Sequence, residues 1–242
     1  MNKAIPAAAA ALISALALAF AAGGGEYGGD AFARGFVAQP YTALIDAGHG
    51  GFDSGARREG VDEAPLNLSV ARKVKTAFEE LGVSVGMTRA GPGALAQTKQ
   101  EDMRVRSDAA AQEKYDIVIS IHQNAFTNRR ACGTAVYYKP ECEKSREAAR
   151  MIRDELAAAL PDVNHRETAP GNFLILKSAK APAVMLECGF MSNPQELARL
   201  MDAQYQEKLA GAVARAAARW LETQKKRVLP ESYQPERAGT DD

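Results

Sequence analysis

The chain has 242 residues, with 30 Lys and Arg against 30 Asp and Glu, so its formal net charge is zero. That balance argues against binding nucleic acid through bulk charge, because neutralising phosphates needs a basic excess. Hydrophobic residues make up 46% and charged residues 25%, ordinary globular values that exclude wholesale disorder and fibrous repeats. The aromatic share of 7% leaves little for a large sugar-stacking surface.

Lys3 carries the only early positive side-chain charge. Residues 4–22 (AIPAAAAALISALALAFAA) are uncharged and end in Ala19-Phe20-Ala21. A basic start, an apolar stretch and a small-residue cleavage site read as an export signal. The stretch is also nearly long enough to remain as an uncleaved membrane anchor, so residues 1–22 are a signal peptide or an anchor. Either way the protein is expected to be exported and to act outside the cytoplasm. Residues 23–40 are Gly-rich and read as a linker. Residues 225–242, with Pro230 and Pro235 and no apolar pattern, read as a flexible tail. The folded domain is therefore expected over 41–224, a single unit and by default a monomer.

Within it, strand-length apolar runs alternate with helical patterns. Tyr41 to Ile45 is a short strand ending at Asp46. Leu68, Val70, Ala71, Val74, Ala77, Phe78 and Leu81 recur at helical spacing, and Gly82 is placed to stop that helix. Val83 to Thr88 is the next strand, and 101–114 a helix of mixed charge. Asp116 to His122 is apolar on both faces, as a buried parallel strand requires. Thr134 to Tyr138 is a strand, 143–160 a helix, and Phe173 to Leu176 and Ala183 to Glu187 two further strands. Residues 203–223 form the last amphipathic helix. The alternation predicts an α/β domain with a largely parallel sheet of about six strands flanked by helices. Three cysteines in an exported chain leave at least one thiol free. Cys132 and Cys142 are close enough in sequence to meet across a strand and its turn, while Cys188 sits in an apolar run and reads as core. Without a C-x-x-C pair, a structural zinc knuckle is excluded.

A parallel α/β sheet offers its ligand sites beyond the carboxyl ends of its strands. Asp46-Ala-Gly-His49-Gly-Gly-Phe-Asp53 follows the first strand, His122-Gln-Asn124 the central one, and Glu187-Cys-Gly-Phe the last. Two of the chain's three histidines thus fall at one edge. Glu63, at the start of the first long helix, can return to the same edge. Two imidazoles and a carboxylate suit one zinc ion and leave a fourth position for water. A second carboxylate, Glu187, would then be the general base. An unpaired buried carboxylate after Pro-Ala-Val-Met-Leu is hard to justify structurally. His165 lies in a polar loop and is expected at the solvent surface.

These stretches resemble the zinc-dependent N-acetylmuramoyl-L-alanine amidases of the amidase-3 family, the type of bacterial cell-separation and spore-cortex amidases. The resemblance runs from Ala43 to about Leu221. It is carried by LIDAGHGGFDSGA (44–56), EAPLNLSVARKV (63–74), VSVGMTR (83–89), DIVISIHQNAF (116–126), GTAVYY (133–138) and PAVMLECGFMSN (182–193). It implies His49, Glu63 and His122 as metal ligands and Glu187 as the catalytic carboxylate. The family pattern often has Lys after the ligand Glu, where this chain has Ala64-Pro65. Asn124, two residues past His122 and so on the same strand face, would orient ligand or substrate. Arg89 and Arg106 also resemble family positions, with a structural ion-pair role equally open. The implied reaction is hydrolysis of the amide between the lactyl group of N-acetylmuramic acid and the L-Ala of the stem peptide, so the implied partner is peptidoglycan. Alternatives are a zinc peptidase acting on wall peptides and a catalytically silent wall-binding homologue. Some relatives carry a blocking helical insert after the second His strand; the stretch from Asn124 to Gly133 is too short for one.

Overall fold

In a computed structural model, which describes residues 41–226, the run after Tyr41 becomes strand β1 (Thr42–Ala47). The signal or anchor segment, the linker and the tail past Lys226 lie outside the described residues. A small antiparallel hairpin follows, β2 (Arg57–Arg58) and β3 (Val61–Asp62). Its turn residues Glu59 and Gly60 both have positive φ, 50° and 82°, as a two-residue turn between twisted strands requires. Next come α1 (Glu63–Glu80) and β4 (Ser84–Met87), with Gly82 at φ 78° between them, ending the helix as expected. Then follow α2 (Lys99–Ala110), β5 (Ile117–Asn124), β6 (Ala135–Tyr138), α3 (Glu143–Ala159) and β7 (Ala169–Pro170). The chain closes with α4 (Leu174–Ser178), β8 (Ala183–Phe190), α5 (Pro194–Met201) and α6 (Ala203–Lys226).

Six strands form one sheet in the order β4-β1-β5-β8-β6-β7. β4, β1, β5 and β8 run parallel, and β6 is antiparallel to β8. This is the largely parallel α/β sheet that the alternation predicts. The side chains of β5 divide by parity: Ile117, Ile119 and Ile121 enter one apolar cluster, and Val118 enters another. The larger cluster lies under α1, α3 and α6 and includes Phe78, Ile152, Leu156 and Trp220, each almost wholly buried. The smaller one lies under the shorter α2 and α4, with Leu44, Leu176 and Met185.

The structure departs from the predicted elements in several places. Phe173 to Leu176 is not a strand: Phe173 is extended, and the chain then turns into α4, burying Ile175 and Leu176 while Leu174 stays exposed. A four-residue apolar run does not distinguish strand from helix, and here tertiary packing decided. α5 is an element the periodicity does not predict, although Asn193-Pro194 is a helix-start signal; the Asn193 side chain accepts from the amide of Gln195 at 3.0 Å. β7, a two-residue edge strand holding a proline, gave no periodic signal. The last helix extends to Lys226, slightly into the expected tail. All three cysteines are free, so the possible Cys132–Cys142 bond is not formed.

Candidate metal and catalytic site

β1 delivers its carboxyl end into a turn that has no room for a Cβ at Gly48, Gly50 or Gly51. Gly48 donates its amide to the Ile121 carbonyl at 3.1 Å, tying the turn to β5. A Cβ on Gly48 would fall 2.2 Å from the His122 ring. His49 itself sits in the left-handed region, φ 60°, a conformation that costs free energy outside glycine and is retained only where surroundings impose it. Two buried arginines impose it. Arg89 donates to the carbonyls of Ala47 (2.8 Å), Gly48 and Ala64 (both 2.9 Å). Arg106 donates to the carbonyls of Ala47 (2.7 Å) and His49 (2.6 Å). Arg106 also pairs with Asp46 at 2.8 Å and with Asp102 on its own helix. Asp46 accepts in addition from Ser120 and Thr88, each at 2.7 Å. Burial opposes the charge of Asp46, but the Arg106 guanidinium and these hydroxyls hold its carboxyl below the usual carboxylate range. Arg106 thus takes the structural ion-pair role left open for it, while Arg89 holds the same turn through backbone carbonyls.

The hairpin delivers Glu63 to the same edge. Glu63 is 4% exposed. It accepts from the Ala56 amide (2.9 Å), the Gln123 amide (3.1 Å) and Asn67 (3.0 Å). Pro65, in the first helical turn, disturbs none of this. The Glu63 carboxylate faces both imidazoles: Oε2 lies 3.3 Å from His49 Nε2 and Oε1 3.0 Å from His122 Nδ1. Burial alone would raise its pKa, but bonds to His122 and His49 hold it far below the normal range. A Cβ at Gly55 (φ +68°) would collide with Glu63 Oε2 at 2.6 Å and the His49 ring at 2.7 Å, so the cradle closes only around glycine.

His49, Glu63 and His122 each offer one ligand atom, and these atoms lie within 4.8 Å of one another. The two rings stand edge to face, 5.0 Å between centroids. Two nitrogens and one oxygen at that spacing, lining a pocket too tight for a Cβ, fit a divalent metal ion. The His49 Nδ1–H donates to Asp53 at 2.9 Å, which turns Nε2 toward Glu63 and the cluster, the arrangement that fixes the tautomer of a ligating histidine. Sequence reading passed over Asp53, which lies within the same Gly-rich stretch, and Asn67, one helical turn after Glu63.

Glu187 pairs with His122 across β5 and β8 and follows Met185 on the face turned to α2 and α4. Its Oε2 is shut off from solvent and has no hydrogen-bond partner among the described residues. Burial pushes its pKa up to about 7, with the Glu63 charge adding to the rise and both histidines opposing it. Cys188, next in sequence, is fully buried in the opposite cluster, and burial pushes its thiol pKa well above the usual range. Asn124 ends β5 on the strand of His122, past a bulge, and its carbonyl accepts from the Met191 amide at 2.8 Å. Residues 125–134, between β5 and β6, form turns without a helix. His165 departs from expectation. It is half-buried, bridged to Thr134 (2.8 Å) and the Leu160 carbonyl (2.9 Å) away from the cluster.

The sequence pattern of the amidase-3 family, described as N-acetylmuramoyl-L-alanine amidase, matches residues 43–219. A germination-specific N-acetylmuramoyl-L-alanine amidase of Bacillus subtilis (strain 168) is 29% identical over 185 residues, spanning 73% of this chain and 78% of the relative. Among solved structures, the CwlD amidase from Clostridioides difficile, in complex with the GerS lipoprotein, superposes with a TM-score of 0.72 at 30% identity. That match covers 76% of this chain and 99% of that one. The catalytic domain of CwlV, from Bacillus (Paenibacillus) polymyxa var. colistinus, gives 0.68 at 30% identity, covering 75% and 98%.

Proposed function

The chain belongs to the amidase-3 family of N-acetylmuramoyl-L-alanine amidases, and from that premise we propose that it hydrolyses the amide between the lactyl group of N-acetylmuramic acid and the L-Ala of the peptidoglycan stem. The observation that carries the reading is the pairing of a buried His–Glu–His cluster with an unpartnered carboxylate on the adjoining strand. His49, Glu63 and His122 would hold one zinc ion. Bound zinc supplies Lewis acidity toward the amide carbonyl and toward water.

The remaining work falls to the chain. Glu187 takes a proton from the attacking water and returns it to the departing amine nitrogen. A carboxyl held near pKa 7 is suited to both transfers close to neutrality. Asp53 keeps His49 in the tautomer that presents Nε2. Asn124 orients the substrate from the end of β5. Residues 41–224 are the catalytic domain and work as a monomer. Residues 1–22 export it or anchor it on the outer side of the membrane, where the wall lies. The likeness to a germination-specific amidase favours a role in the spore wall.

Digesting purified peptidoglycan with the full chain and zinc, with and without a chelator, tests the reaction. Mass spectrometry should find intact stem peptides with a free L-Ala terminus, absent after chelation and with Glu187→Ala. Trimmed amino acids would indicate a peptidase instead. Zinc binding without any product would indicate a wall-binding homologue.

A further inference from the structure

Three segments far apart in the chain bring the cluster together: the turn after β1 carries His49, α1 carries Glu63 and β5 carries His122. One side chain bonds to all three segments. Asn67 is wholly buried, one helical turn after Glu63. Its Nδ2 donates to Glu63 Oε1 at 3.0 Å and to the carbonyl of Gly48, next to His49, at 3.1 Å. Its Oδ1 accepts from Nε2 of Gln123, next to His122, at 3.2 Å. Both partners of Nδ2 are acceptors only, so the amide cannot turn round without setting oxygen against oxygen.

Gln123 is the less expected member of this set. By strand parity it shares the face of Ile119 and Ile121, on the side of the larger apolar cluster. It is buried, and its Oε1 is shut off from solvent with no hydrogen-bond partner among the described residues. The Cys188 thiol beside it is only a weak donor. A buried oxygen left unanswered lowers stability, so packing alone would favour an apolar side chain at this position. What the glutamine side chain contributes instead is the bond to Asn67.

We propose that Asn67 is a positioning residue of the metal site, locking the Glu63 carboxylate against the two imidazoles, and that Gln123 stands in the core to hold the Asn67 amide in that orientation. Two donors on Glu63 Oε1, from Asn67 and the Gln123 backbone, and one on Oε2, from the Ala56 amide, fix the plane of the carboxylate. A ligand already held in its binding orientation has less freedom to lose when the ion arrives, and the ion is bound more tightly. The inference rests on the reading of the cluster as a zinc site, which zinc binding by the wild type tests by itself.

Zinc affinity of the full chain, measured by competition with a chromophoric chelator, is compared with thermal unfolding of the metal-free protein. Asn67→Leu, of similar volume but without donors, should weaken zinc binding about 10- to 100-fold. Gln123→Leu should weaken it about threefold to tenfold and leave the metal-free melting temperature unchanged, because one unanswered oxygen, on Gln123, gives way to another, on Asn67. A pair with a structural role alone would do the reverse, losing stability and keeping zinc affinity. Zinc binding by folded Asn67→Leu at the wild-type affinity would overturn the inference. If Asn67→Leu does not fold, Gln123→Leu decides, and wild-type zinc affinity in that variant overturns it. A wild type that binds no zinc removes the metal-site reading and this inference together, whereas tight binding by the wild type and by both variants removes this inference alone.

Discussion

The two faces of the central sheet are built from the same strands and put to opposite uses. On one, α1, α3 and α6 cover an apolar cluster reaching from Val74 and Phe78 to Ile152, Leu156 and Trp220. On the other, short α2 and α4 cover a smaller apolar patch. Toward the carboxyl edge that patch gives way to Ser120, Asp46 and Arg106, then to His122 and Glu187. In β8 the division is residue by residue: Val184, Leu186 and Cys188 belong to the stabilising face, Met185 and Glu187 to the other. A strand alternating every residue can thus be core and active site at once, provided one face is thinly covered. The thin cover leaves a cavity beside the cluster, the exposed Leu174 and Met103, and access to the cluster.

This contrast is open to attack at four points. Replacing the proposed base gives the largest expected effect. Glu187→Gln should slow stem-peptide release about 10²- to 10⁴-fold while the melting temperature holds or rises, because an unpartnered buried carboxylate is removed. A large loss of stability would show that Glu187 is a structural residue. On the opposite face Trp220→Ala should cost about 3–5 kcal/mol of stability in denaturant unfolding, with turnover per folded molecule unchanged. Reduced turnover of folded protein would mean that the faces are coupled.

The third test concerns the charged interior of the thin face. The stabilisation from ionised Asp46 is present above its unfolded pKa of about 3.9 and is lost as pH falls through its lower folded value. Arg106→Gln removes the main cause of that lowering and leaves burial to dominate. It should cost about 3–5 kcal/mol at neutral pH, and the variant should gain stability relative to the wild type as pH falls from 7 toward 5. An unchanged pH–stability curve would refute the pairing as the source. The smallest effect is expected beside the proposed base. Cys188→Ser should cost about 1–2 kcal/mol by placing a hydroxyl in an apolar cluster and leave turnover within about twofold. Loss of turnover with intact folding would mean that the neighbouring face takes part in the chemistry.

Much of this was legible in the chain. The apolar run of β5, the periodicity of α1 and the stop at Gly82 predict their elements because burial on both faces, or along one stripe, leaves a direct imprint on residue order. The histidines and carboxylates were legible because they follow strands that a parallel sheet aligns at one edge. α4 was not, because Phe173 to Leu176 is too short for its own periodicity to decide. α5, only eight residues long, shows its capping asparagine and proline but too little periodicity to predict it. His165 reads as a polar loop residue, and only the pairing of its segment with Thr134 draws it partly inside.

Residue order alone determined the fold class, the residue types available for chemistry and the edge at which they gather, since each depends on local periodicity and strand direction. Tertiary structure decided the rest. It set His49 in a left-handed turn held by Arg89 and Arg106, left Glu187 without a partner, and opened a cavity under two short helices. These features depend on contacts between segments far apart in sequence, and no local pattern records how well such segments satisfy one another's polar groups.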